Sequence, residues 1–229
     1  MNLLALETST RHLSVALWRD GELTERAEDI QNGGSERLLP WVNQLLAEAG
    51  MHITNLDGIA FGAGPGGFTG LRLACGVAQG LAFGLDLPVL GVSTLAALAL
   101  ASYHQGTERL FACLDARMNE VYCGAFLIRD GVVETVVAES VAAPQQVTIP
   151  PGRDWIGCGD GFAAYPTLLA ADLAALRADF WPTAAAVARL AAPRLASGQG
   201  MDAGLAHPLY VRDKVALTTA ERFARGGLK

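Results

Sequence analysis

The chain has 229 residues, of which 51% are apolar and 17% charged; that is enough for a substantial core and too apolar for a disordered chain. Its net charge of −6 leaves neither half with the basic face of a nucleic-acid-binding protein, although the last residues, from Arg212 on, are locally basic and read as a solvated tail. The most apolar stretch, 87–101, is too short for a transmembrane helix of roughly 20 residues, and MNLLALETST lacks the basic region of a secretion signal, so a cytoplasmic protein with no membrane partner is expected.

In chain order, residues 2–7 read as a short buried strand and 12–19 as a second, alternating one. Asp20-Gly21 is a hairpin signal leading into a third strand over 22–30. Residues 35–49 predict an amphipathic helix with Leu38, Leu39, Val42, Leu45, Leu46 and Ala49 on one face, Ser35 as its cap and Gly50 as its stop. Pro40 fits that helix poorly outside the first turn. A strand is expected at 57–61, a glycine-rich loop at 62–70, a helix at 70–84, a strand at 88–91 and a helix at 93–103. Further strands are expected at 110–115, near 132–141 and near 153–157. Ala-rich helices are expected over 161–178 and 183–197, followed by a terminal strand or helix start at PLYVRDKVA.

The opening pattern recurs. Residues 110–115 end in an acid, as 3–7 end in Glu7; an Arg-bearing turn follows each (Arg11, Arg117). Each second strand ends in the same triplet, Arg19-Asp20-Gly21 and Arg129-Asp130-Gly131. This points to an internal duplication of a strand–hairpin–helix unit, with strands and helices alternating in an α/β fold. The expected units are 1–105 and 106–229, with the last segment packing back on the first.

Several chemistries are excluded by residue type. The only lysines are Lys214 and Lys229, so no Walker A or Schiff-base lysine lies in the body of the chain. The four cysteines form no CxxC and the four histidines no HxxxH, so no metal site is expected. The loop from Gly62 to Gly70 links a strand to a helix. It reads either as an anion cradle, with Gly64, Gly66, Gly67 and Thr69 near phosphate, or as a tightly packed turn. It is no dinucleotide fingerprint, because it does not follow the first strand of its unit. The turn Glu7-Thr8-Ser9-Thr10 offers an acid and three hydroxyls, either toward a nucleotide or as a capped turn. The 70–84 helix has one small-residue row at Gly70, Ala74, Ala78 and Ala82 and a second at Gly76, Gly80 and Gly84. Such rows allow close helix approach, to the protein's own sheet or to a partner.

LLALETST, ERLLPWV, GAGPGGFTGLRLACGVAQGLA, LPVLGVSTL, LDARMNEVY and PLYVR, in this order across nearly the whole chain, resemble the bacterial TsaB (YeaZ-type) family, glycoprotease-like paralogues of TsaD. The resemblance implies a duplicated actin/Hsp70/sugar-kinase-like (ASKHA) α/β fold. It also implies a non-catalytic scaffold in the machinery that forms N6-threonylcarbamoyladenosine at position 37 of ANN-reading tRNAs. Thr94 and Leu98 stand where the catalytic paralogue has its metal-binding histidine pair, so neither peptidase nor independent transferase activity is expected. Gly34 stands where many relatives have a His before Ser35.

The implied partners are TsaD, in a heterodimer, and the ATPase TsaE. A homodimer is expected when the chain is alone, and tRNA is met only indirectly. No cofactor of its own is implied; ATP is used by the complex. The expected partner surface combines Leu38, Leu39, Val42, Leu45 and Leu46 with Gly70, Ala74, Ala78 and Ala82, and Ala78→Arg is expected to abolish TsaD binding without unfolding the chain. The alternatives are a small actin-like ATPase or kinase using the glycine loop and Glu7, and a metallopeptidase-like protein.

Overall fold

The computed structural model describes residues 1–30, 33–166 and 173–212. Two five-stranded sheets carry the fold. The first comprises β1 (Asn2–Glu7), β2 (His12–Arg19), β3 (Glu22–Asp29), β4 (Gly58–Gly64) and β5 (Val89–Ser93), in the order β3-β2-β1-β4-β5. The second comprises β6 (Thr107–Arg117), β7 (Glu120–Arg129), β8 (Val132–Ala142), β9 (Trp155–Cys158) and β10 (Ala175–Arg177), in the order β10-β9-β6-β7-β8. In each sheet the first three strands are antiparallel and the last two join in parallel. The duplication expected from the repeated strings is therefore present as a repeated topology, the arrangement of the actin and sugar-kinase class.

Both repeated Asp-Gly pairs close two-residue hairpins. Asp20 and Gly21 have φ of 50° and 99°, and Asp130 and Gly131 of 49° and 80°. Two successive positive φ angles match the right-handed twist of the flanking strands, and Asp-Gly tolerates them.

The helices form layers around the sheets. Between the sheets lie α3 (Thr94–Ser102) and α5 (Ala184–Ala196). Eight of the nine residues of α3 are buried, as a helix enclosed on all sides requires. Leu3, Ala5, Leu90 and Val92 of the first sheet share this inner core with Leu110, Ala112, Leu114, Phe126 and Ile128 of the second. On the other face of the first sheet, Leu4 and Leu6 meet α1 (Gly34–Glu48) and α2 (Phe68–Leu85). The outer face of the second sheet has a smaller core, in which Phe111, Cys113 and Trp155 pack on Phe162 of a one-turn helix, α4 (Gly161–Ala164). All four cysteines are free and buried.

Three local expectations are corrected. Gly33, at φ 82°, caps α1, and Ser35 lies inside the helix; the left-handed entry needs glycine more than a side-chain cap. Pro40 sits beyond the first turn with an exposed ring. Of the expected helix over 161–178, the described residues form the one turn of α4 and, at Ala175–Arg177, a strand that pairs in parallel with β9. Ala-rich sequence favours helix, but β9 offers an unpaired edge, and tertiary pairing decides. The expected terminal element begins in residues 208–212, which have no regular structure; the rest lies outside the described residues.

α5 returns the chain from the second lobe to the first, and its start is anchored by residues far away in sequence. Ser14 Oγ accepts from Ala184 N (2.7 Å), Glu25 Oε1 from Ala185 N (2.8 Å) and Thr183 Oγ1 from Ala186 N (3.1 Å). Three otherwise orphaned N–H groups are thus satisfied. Burial holds the Glu25 carboxyl above its ordinary value, a cost that the helix start partly offsets. In the second sheet, Arg177 bonds Glu108 at 3.0 Å and the carbonyl of Ser102, tying β10 to β6 and to the end of α3.

Ser14→Ala is expected to cost about 1–2 kcal/mol in urea unfolding, the loss of one tertiary helix cap. A change below a few tenths would show that the Ala184 N–H is satisfied in another way.

Candidate functional site

Two features stand out, a cleft between the lobes and the outer face of α2. The cleft has a volume of about 930 Å³. One wall is the β1–β2 turn, Thr8 to Arg11, with the loop Pro65–Gly70. The opposite wall is the β6–β7 turn around Asp115 and Arg117, with Asp160. The two turns are the duplicated pair noted in the sequence, and the fold sets them face to face.

The structure brings Thr8, Ser9, Thr10, Gly66, Gly67 and Thr69 onto one wall. It does not bring Glu7 or Gly64 to the cavity surface. Glu7 is fully buried. Its Oε1 accepts from Ser9 N (2.6 Å), while its Oε2 has no partner among the described residues. Burial is the main cause that raises the Glu7 pKa, partly opposed by hydrogen bonds from Ser9 and Thr8. Ser9 Oγ, also buried, has no partner among those residues either.

The glycines of the loop lie against the chain's own backbone and side chains. A Cβ on Gly62 would lie 1.9 Å from Glu7 Oε2, and one on Gly70 1.8 Å from Thr8 O. One on Gly66 would lie 2.7 Å from Ser9 Cβ, and one on Gly64 2.5 Å from Leu209 O. Gly67 N donates to Ser9 O (2.7 Å) and Thr8 Oγ1 to Gly70 O (2.6 Å). The packed-turn alternative thus accounts for the glycines: the loop needs them to lie against the β1–β2 turn.

Around the opposite turn, Asp160 Oδ1 accepts from Asp115 N (3.0 Å), and Asp115 Oδ1 accepts from Arg117 N (2.8 Å). Burial raises the Asp160 pKa. Arg11 stacks over Trp181 at 4.6 Å. Asp160, Trp181, Tyr210 and Arg212 line the cleft, although sequence reasoning does not single them out as site residues. Only the Tyr-Val-Arg string within PLYVR hints at two of them, since an isolated Asp or Trp has no periodic signal. Thr94 and Leu98 are both fully buried core residues. No cluster of three or more potential metal ligands occurs among the described residues.

The helix faces require a correction. Ala74, Ala78 and Ala82 are fully buried against the first sheet, and Gly70 is pressed on Thr8. Leu38, Val42, Leu45 and Leu46 are buried in the same core. None of these can supply the expected partner surface, because an amphipathic helix has one apolar stripe and its own sheet occupies it. Leu39, 46% exposed, is the exception. It is the second row of α2, Gly76, Gly80 and Gly84, that faces outward; a methyl added at any of the three would meet no described atom within 4 Å. Phe83 beside it is 83% exposed. Leu73, Val77 and Leu81 lie half-buried along the margin. By length and composition alone α2 would be apolar enough to cross a membrane.

The two kinds of glycine predict opposite outcomes. Gly70→Ala is expected to destabilise by more than about 3 kcal/mol, since backbone stands where the methyl would go. Gly80→Ala is expected to stabilise the isolated chain by about 1 kcal/mol. Equal effects in thermal unfolding would refute the packing assignment. A second expectation concerns Glu7. Its folded pKa lies above its unfolded value, so the native state binds the proton more tightly and stability falls as pH rises between the two. Glu7→Gln removes this dependence. Relative to the variant, the wild type is expected to gain stability as pH is lowered through the raised folded pKa of Glu7 toward 4.5, the ordinary glutamate value; parallel unfolding curves at all pH values would contradict it.

The family model described as TsaD, tRNA N6-adenosine threonylcarbamoyltransferase, matches residues 28–220. The tRNA threonylcarbamoyladenosine biosynthesis protein TsaB of Escherichia coli (strain K12) is 36% identical over 94% of this chain and 96% of its own. The protein of the same description from Haemophilus influenzae is 37% identical over 94% of this chain and 95% of its own. The solved structure of YeaZ from Pseudomonas aeruginosa superposes with a TM-score of 0.87 at 44% identity, covering 91% of this chain and 99% of that one. With the motifs in order and the whole fold shared, the chain belongs to the TsaB (YeaZ-type) family, whose members are named for tRNA threonylcarbamoyladenosine biosynthesis.

Proposed function

We propose that this chain is a non-catalytic scaffold subunit of the complex that forms N6-threonylcarbamoyladenosine at position 37 of ANN-reading tRNAs, and that its α2 outer face binds TsaD. The observation that carries this reading is the row Gly76, Gly80 and Gly84. Each glycine costs a helix interior about 1 kcal/mol relative to alanine. Among the described residues nothing crowds them, so the fold alone gives no reason for their cost. A second helix packed on the row supplies one, because glycine lets two helix backbones approach closely. Exposed Phe83, beside the row on the same helix, would flank the contact and bury apolar area on docking. Without TsaD the same self-complementary face would close on a second copy as a two-fold homodimer.

The non-catalytic part of the reading is supported by the position of Glu7, sealed behind Thr8 and Ser9 and not lining the cleft, and by Thr94 and Leu98 in the core. On this reading the chain brings no cofactor; ATP is consumed by other members of a cytoplasmic complex, TsaE is recruited to the assembly, and tRNA is held mainly by the partner. The acidic net charge of −6 fits that division.

Ala78→Arg would place a charge in the core and report on folding, so the test moves one face round the helix. Gly80→Arg is expected to abolish co-purification with TsaD while leaving thermal unfolding within a few degrees of the parent. Retained co-purification would sink the assignment of this face. The wider reading is tested by reconstituting the modification from TsaC, TsaD, TsaE, ATP, bicarbonate, threonine and tRNA with and without this chain. Modification is expected only when the chain is present, and equal yield without it would overturn the scaffold role.

A further inference from the structure

The segment 203–212 belongs to neither sheet, yet it joins both lobes. Ala203 and Ala206 pack into the core beneath α2, and Gln79 Nε2 donates to Ala206 O at 2.9 Å. Leu209 N donates to Ala63 O at 2.7 Å. The Tyr210 ring lies 5.8 Å from that of Phe68, and its hydroxyl accepts from Arg72 Nε at 3.1 Å. Up to this point every contact is to the first lobe. Two residues on, Arg212 reaches the second. Its Nη2 donates to Ala116 O at 3.0 Å and to Glu120 Oε2 at 2.6 Å, and its guanidinium lies 5.7 Å from the Tyr122 ring centre.

The turn that Arg212 grips is strained. Arg117, Met118 and Asn119 have φ of 60°, 56° and 59°, three successive left-handed residues of which none is glycine. Side chains rarely tolerate that conformation, and it persists only where surrounding contacts hold it. Asp115 holds one side, through Arg117 N. Arg212 holds the other, and its side chain is only 14% exposed. Met118, by contrast, is 64% exposed at the tip.

We propose that residues 203–212 are an interlobe clasp. Its first part is fixed to β4 and α2, and Arg212 closes on the β6–β7 tip. The clasp sets the width of the cleft and holds the Arg117–Met118 tip in place. A charge-assisted contact suits this task, because Nη2 of a side chain only 14% exposed donates to a carbonyl and to a carboxylate at once. The proposal is independent of what binds the outer face of α2.

Hydrogen exchange on the full chain tests it. In Arg212→Ala, amides of 115–122 and of 203–212 are expected to exchange at least about tenfold faster, as loss of a charge-assisted hydrogen bond implies, with β1, β4 and residues 107–114 of β6 unchanged. Spin labels at Ala47→Cys and Glu134→Cys, one on the outer layer of each lobe, are expected to show a longer and broader distance distribution in the same variant. Faster exchange confined to 115–122 would reduce Arg212 to a turn anchor and overturn the clasp; so would an unchanged distance distribution. Should Arg212→Ala fail to fold, Glu120→Ala removes the carboxylate acceptor from the other lobe, and the same two segments must respond.

Discussion

The structure depends on one crossing. α5 leaves the second lobe and inserts between the sheets, where Ser14 and Glu25 from β2 and β3 receive its first N–H groups. A helix start buried without such partners would be costly. Because the partners lie on the first sheet, the helix can be satisfied in only one place. That fixes the inner core, to which α3, α5 and both sheets contribute, and the inner core fixes how the two duplicated turns face each other across the cleft.

The duplicated halves solve the same problem with different residues. In the first, glycines at the end of β4 and the start of α2 let the chain lie against the end of β1, where Gly62 meets Glu7 and Gly70 meets Thr8. In the second, Gly159 and Gly161 after β9 lie against Cys113 near the end of β6 in the same way. The repeat therefore extends to backbone approach as well as topology. The halves diverge at their edges. β3 is guarded by Glu22, Glu25, Arg26, Glu28 and Asp29, whereas β8 exposes Val132, Val136 and Val137 and is interrupted by bulges. Charge and bulges are two known ways of discouraging edge-to-edge pairing.

The divergence at the cleft bears on function. The carboxyl at the end of β1 is an internal group whose pKa burial raises, and the glycine loop packs against the β1–β2 turn. Meanwhile α2 keeps an unneeded glycine row on its outside. A fold otherwise suited to small-molecule chemistry thus has its unexplained features on an outer face, which is why a scaffold role in threonylcarbamoyladenosine formation is the reading we favour.

Much was legible in the residues. The alternation of 12–19, the paired Asp-Gly turns and the recurring acid-then-arginine pattern revealed strands, hairpins and duplication, because each is a local signal with a local cause. Family membership was legible for the same reason, in ordered strings such as GPGGFTG and LDARMNEVY. What could not be read was which side of α2 faces the protein. Two small-residue rows lie on one helix, and either could pack on a sheet; only the sheet's position decides that Ala74, Ala78 and Ala82 go inward. The strand at 175–177 and the reach of Arg212 to Glu120 escaped for a related reason. Local sequence determined most of the elements, their repeat and the family. The tertiary structure decided which faces are buried and which distant residues meet, because burial and long-range hydrogen bonds depend on neighbours that the chain supplies only once folded.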